Sequence, residues 1–195
     1  MSIRRSSIFD GWQSGREQVI SLKLIVLDAA RFQLVWWLLI LQGNEAVWLA
    51  SLVLIAQLSV SRRRIYDGVF MLAIAMPGVL LDSLLNYGGA LVFTDLPLWL
   101  ALLWCHFGLS CLYSLQPMWR WSWLSVALVG AIGGSGSYIA GLKLGAVSSN
   151  WSETTLLLVL APLWALVFIY IKSIVYQESQ HQPHHPSSDN QGSPQ

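Results

Sequence analysis

Apolar residues run through this chain in six blocks separated by short polar turns. The blocks fall at about Leu22–Leu41, Ala46–Val60, Gly68–Tyr87, Pro97–Leu115, Ser122–Leu142 and Thr154–Ile171. A helix needs about 20 mainly apolar residues to cross a bilayer. Five blocks approach that length and the second is short. The pattern predicts an all-α, polytopic membrane helix bundle with six transmembrane helices. Gln42-Gly43-Asn44-Glu45 reads as a tight turn, Ser61–Asp67 as a loop, and Asn86–Leu96, with Gly88-Gly89, as another. Gln116-Pro117 ends the fourth block, and Ser148–Glu153 turns the chain before the sixth. The 22–176 transmembrane domain is flanked by a polar lead, 1–21, and a tail, 177–195. The tail is rich in Pro, Ser, Gln and His and is expected to be disordered, because it cannot bury enough apolar surface to fold.

Two blocks carry features that an ordinary apolar helix lacks. The first contains Asp28 and Arg31. Starting its helix after Arg31 would leave too few apolar residues to cross, so the pair must lie within the membrane. Three apart, the two charges share a helical face and can neutralise each other. The fifth block is rich in glycine. Gly133, Ser137, Gly141 and Gly145 recur every fourth residue, with Gly130 and Gly134 beside them. In a soluble helix each glycine costs roughly 1 kcal/mol against alanine. Between lipid-embedded helices, small residues at this spacing let two backbones approach. The expectation is a central helix packed through its glycine face.

Charge sets the orientation. With the N-terminus inside, Arg4, Arg5, Arg16, Lys23, Arg62, Arg63, Arg64, Arg120 and Lys172 collect on the cytoplasmic side, and Lys143 alone lies outside. This bias follows the positive-inside rule and predicts N-in, C-in topology. Composition agrees: 55% of the 195 residues are hydrophobic and 11% are charged, against about 25% charged in soluble domains. A net charge of +1 gives no footprint for nucleic acid. Cys105 and Cys111, six apart on one helix, fall on different faces and are expected to be inert. The N-terminus shows no short apolar run with a small-residue cleavage site, and no removable signal peptide is expected.

Ionisable groups within a membrane are costly and are functional candidates by default. The candidate intramembrane polar site is Asp82, His106, Tyr138 and Lys143. Asp82 shares a helical face with Gly78 and Asn86, so that face should meet protein rather than lipid. Two readings stand for it, a substrate or proton site and a structural carboxylate. Lys143 is the only basic residue expected on the outer side and is the expected ion-pair partner of Asp82. His106 reads either as an interhelical hydrogen-bonding residue or as part of a site. It has no second histidine or carboxylate one turn away, so no metal is expected. Tyr138 reads as a packing residue with a bonded hydroxyl. No nucleophile elbow, phosphate loop or zinc-protease motif occurs, and no cofactor is expected.

Leu81-Asp-Ser-Leu-Leu85, Pro97-Leu-Trp99 with Leu103-Trp104, and Gly134-Ser-Gly-Ser-Tyr138 leading to Ala140-Gly-Leu-Lys-Leu-Gly-Ala146 follow one another in order. In these motifs the chain resembles the bacterial inner-membrane family catalogued as domain of unknown function 2878, over roughly residues 24–172. In this chain Gly136 stands where that family usually has a proline. The resemblance implies a multi-pass inner-membrane protein of no established activity. Genes of such proteins tend to sit near those of lipid-modifying enzymes, so membrane lipids and a lipid-modifying enzyme are the expected partners. Three functions remain open at this point. The leading one is an accessory or lipid-associated membrane protein. The others are an intramembrane lipid-modifying enzyme using Asp82, His106 and Tyr138, and a small transporter.

Overall fold

The computed structural model describes residues 22–93 and 97–180, with side chains through Gln177. The expected polar lead, 1–21, and the tail beyond 180 lie outside these residues. The described elements are helical: α1 (Leu22–Gln42), a 3₁₀ turn (Gly43–Ala46), α2 (Val47–Val60), α3 (Arg64–Tyr87), α4 (Leu98–Leu112), a second 3₁₀ turn (Gln116–Arg120), α5 (Trp123–Lys143) and α6 (Glu153–Gln180). Four stretches, Leu22–Val60, Arg64–Tyr87, Trp123–Lys143 and Glu153–Gln177, are long and apolar enough to cross a membrane. Leu98–Leu112 is a shorter apolar helix.

Local chemistry places the boundaries. Leu22–Val60 is not one rod: Gly43 takes φ +56°, a backbone conformation that side chains resist, and the chain reverses there. Gln57 of α2 thereby returns to Asp28 of α1. Ser122 caps α5 by accepting the Ser125 N–H at 3.1 Å. Ser152 does the same for α6 with the Thr155 N–H at 3.1 Å. Three expected boundaries move. α4 ends at Leu112, three residues before the Leu115 expected. α3 begins at Arg64, so the end of the expected Ser61–Asp67 loop is helical, and Asp67 lies in the first turn, where a carboxylate suits the helix dipole. α6 continues to Gln180, beyond the Ile171 expected.

The helices pair as α3 with α4 and α5 with α6, while α1 lies on α4 and α2 touches both α3 and α4. Glycines set the α3–α4 distance. A Cβ on Gly108 would sit 3.0 Å from the Met71 carbonyl oxygen, and one on Gly78 only 2.2 Å from the Trp104 ring. Pro77 interrupts α3, and its missing N–H leaves the Ala73 carbonyl without a helical donor. The Tyr170 hydroxyl of α6 donates to that oxygen at 3.1 Å.

An aromatic seam joins α5 and α6 to α4, with Phe32 of α1 against Phe107 at its edge. Trp104 and Trp164 stack with centroids 5.2 Å apart, and Phe107 meets the edge of Trp164. At one end of the bundle a two-residue bridge between Val92 and Ser148 ties the α3–α4 loop to the α5–α6 loop. The arginine-rich α2–α3 loop and the second 3₁₀ turn lie at the other end, which we call the arginine end.

Candidate functional site

Between α1, α4, α5 and α6 lies a cavity of about 290 Å³, open on one side. Phe32, Trp36 and Ile40 of α1 form one wall, and Val129, Gly133, Ser137 and Gly141 of α5 the opposite one. Trp104, Phe107 and Trp164 form its back. Val129 and Gly133 are exposed, and Phe32 and Trp36 half-buried, so the mouth lies between α1 and α5 at mid-helix. From Val129 to Gly141 the cavity follows α5 for about 18 Å at 1.5 Å per residue. The polar groups on the wall are largely turned to protein. Ser137 Oγ donates to the Gly134 carbonyl at 2.8 Å, and Tyr138 and Trp104 both donate to Asp82. The cavity therefore presents hydrocarbon.

This geometry corrects the reading of the glycine helix. Gly133 has nothing within 4 Å of where a Cβ would stand, and Gly141 has only ordinary contacts, the nearest Ile40 Cδ1 at 3.7 Å. Gly145 lies beyond α5 in a turn at φ +78° with open space beside it. The Gly133–Ser137–Gly141 face borders the cavity and holds it open by being small; no second backbone fills it. The other pair makes the close contact. A Cβ on Gly134 would lie 1.9 Å from Trp164, and one on Gly130 2.5 Å from Phe168. These glycines receive aromatic rings of α6.

Asp82 stands behind the cavity wall at 4% exposure. Tyr138 donates to its Oδ1 at 2.5 Å, and the Trp104 indole N–H to its Oδ2 at 2.6 Å. One carboxylate thus joins α3, α4 and α5. The expected Asp82–Lys143 ion pair does not form. Lys143 is exposed and pairs with Glu153 at 3.4 Å across the α5–α6 turn. The carboxylate is satisfied by two neutral donors, and the lysine finds a nearer partner in water.

His106 belongs to a different cluster. Trp104 and His106 are two residues apart on α4, hence on nearly opposite faces. Arg31 Nη1 lies 2.8 Å from His106 Nδ1, and Nε2 lies 3.1 Å from the Ala50 carbonyl. Arginine can only donate, so Nδ1 accepts and the ring proton sits on Nε2, donating to Ala50. Arg31 also pairs with Asp28 at 2.8 Å. Asp28 accepts in addition from Gln57 at 3.2 Å and from the Ser114 N–H at 3.2 Å. The charge pair that sequence treats as self-contained is a junction of α1, α2 and the end of α4.

One buried carboxylate was not foreseen. Asp67, 1% exposed, accepts from Ser61 Oγ at 2.6 Å and from the Tyr113 hydroxyl. It ties the start of α3 to the end of α4. Three buried polar atoms have no partner among the described residues: Asp67 Oδ1, Gln57 Oε1 and Trp164 Nε1. The sequence signal for Asp67 was a carboxylate one turn into a helix whose start had been placed too late. Asp82, Tyr138, His106 and Lys143 thus divide among three places. Only the first two meet, and of the four only Tyr138 borders the cavity.

The described chain has no strand, four stretches of crossing length and a lateral apolar cavity. These define a helical membrane protein. A family model described as protein of unknown function (DUF2878) matches residues 25–170, and the chain belongs to that family. No curated protein and no solved structure matches it.

Proposed function

We propose that this is a multi-pass inner-membrane protein that holds an acyl chain of a membrane lipid in the cavity between α1 and α5. The observation that carries this reading is the cavity's shape: a hydrocarbon-lined slot about 18 Å long opening sideways at mid-helix. One leaflet of a bilayer core is about 15 Å deep, half of roughly 30 Å, so slot and chain match in length. A lateral mouth faces the tails directly. The role is accessory: the protein shelters a lipid or presents it to a lipid-modifying partner. The enzyme reading has less support, because His106 lies apart from Asp82 and Tyr138, and Asp82 is masked by Tyr138 and Trp104.

In this reading all six helices cross, with both ends cytoplasmic. The return of Gln57 to Asp28 supports it, because it brings the Arg62–Arg64 loop back to the end where α1 begins. Lys172, folded over Trp123 with its ammonium 4.7 Å from the ring centroid, adds a cation at that end. Reporter fusions after Arg64 and at the C-terminus are both expected to read cytoplasmic. A periplasmic C-terminus contradicts six spans.

Photolabelling tests the lipid reading. Purified protein in nanodiscs is irradiated with phospholipid bearing a diazirine near the middle of one acyl chain, and adducts are mapped by mass spectrometry. Adducts are expected on Trp36, Phe107 and Ser137. Gly133→Phe points a ring into open space and should fill the slot. It is expected to reduce those adducts about tenfold while leaving the unfolding midpoint unchanged, the equivalent of roughly 1.4 kcal/mol of lost binding. Label confined to outward residues such as Leu128 and Ile132 contradicts the reading.

A further inference from the structure

The slot does not end in apolar side chains at the glycine-turn end. A second cavity, of about 310 Å³, adjoins it there and shares Ile40, Phe93 and Trp99 as walls. Its remaining lining is Leu41, Gln42, Gly43, Asn44 and Glu45 from the α1–α2 turn and Gly145 and Ala146 after α5. Slot and chamber meet at Ile40, Phe93 and Trp99, the slot apolar along the helices and the chamber polar at the bundle end. Two left-handed glycines make room for it. Gly43 and Gly145 turn the chain sharply on either side, at φ +56° and +78°, and neither carries a side chain into the space.

The charge in this chamber is one-sided. Among the described residues, Glu45 is its only charged lining residue. It is exposed and makes no ion pair among the described residues. Lys143, two residues before Gly145, has its charge matched by Glu153. Gln42 and Asn44 add amides, and Asn44 Oδ1 already accepts the Trp99 N–H at 3.2 Å. An anionic head would meet a carboxylate with no cation among the described lining residues to offset it, while an ammonium would meet its counter-charge.

We propose that the chamber receives the head group of the lipid whose tail occupies the slot, and that it selects a head bearing an ammonium group over one with net negative charge. This rests on the lipid-binding reading above and adds the class of head group and its direction. The head lies at the glycine-turn end, so the lipid is taken from the outer leaflet.

The test uses the full-length protein in nanodiscs holding equal amounts of phosphatidylethanolamine and phosphatidylglycerol, each carrying the same acyl-chain diazirine and distinguishable by mass. Slot adducts from phosphatidylethanolamine are expected to exceed those from phosphatidylglycerol about three- to fivefold, as one partly exposed ion pair allows. Glu45→Gln, an isosteric change on an exposed turn, should bring the ratio close to one, and Glu45→Lys should reverse it. Slot adducts at equal yield, or a preference untouched by Glu45→Gln, overturn the head-group assignment and leave the tail site standing. Absence of slot adducts from either lipid overturns both.

Discussion

Replacing Asp82 by alanine is expected to lower the unfolding free energy by roughly 3–6 kcal/mol. The carboxylate accepts the Tyr138 hydroxyl at 2.5 Å and the Trp104 indole N–H at 2.6 Å, all buried. A hydrogen bond to a charged group contributes about 1.5–3 kcal/mol, and each donor left buried without an acceptor adds its own desolvation cost. Three helices meet at this one side chain, so the loss falls on the contact between α5 and the α3–α4 pair. Tyr138→Phe removes one of the two bonds and should cost about 1.5–3 kcal/mol. Asp82→Asn should fall between the two, because its oxygen keeps one donor while its NH₂ opposes the other. Equilibrium unfolding in mixed detergent micelles measures all three. A loss below about 1 kcal/mol for Asp82→Ala, within the range of a neutral hydrogen bond, would return Asp82 to the functional candidates.

The second large effect separates two neighbouring glycines. Gly134→Leu is expected to cost about 3 kcal/mol or more, at or above the upper range of core overpacking. Its first carbon alone would lie 1.9 Å from the Trp164 ring, which is itself held between Trp104 and Tyr138. Neither α6 nor the ring can withdraw without breaking the aromatic seam. Gly133→Leu, one residue earlier, enters open space and should change stability by less than about 0.5 kcal/mol. The same micelle titration reads both. Equal effects would show that α5 is rotated from the position described.

The contrast also shows what the sequence could convey. Helix limits were largely legible because they depend on local chemistry. Ser122 at an N-cap, Gly43 at a reversal and Pro117 after α4 act within a few residues. The small-residue periodicity of α5 was legible too, but its meaning was not. Glycine every fourth residue permits a close backbone, an aromatic ring or an empty slot. Which occurs depends on residues 30 or more positions away, such as Trp164 and Phe168.

The candidate site was partly legible for the same reason. The face carrying Gly78 and Asp82 does meet protein, while Asn86, one turn further on, is exposed at the end of α3. Its partners were missed because a buried carboxylate was assumed to need a cation. Here a tyrosine and a tryptophan, from two other helices, provide the donors. The Asp28–Arg31 pair was found through its three-residue spacing, whereas its extension to His106, Ser110 and Gln57 depends on how α1, α2 and α4 come together. No local pattern encodes that. The cavity itself had no sequence signal, since it exists only where α1 and α5 fail to touch.

The most direct test of the lipid-binding account is a high-resolution experimental structure of the full-length protein in a lipid nanodisc. The account predicts elongated density between Phe32 and Trp36 of α1 and Gly133 and Ser137 of α5, continuous with the bilayer at the mouth. α1 closed onto the glycine face of α5, leaving no slot beside Gly133, would contradict it.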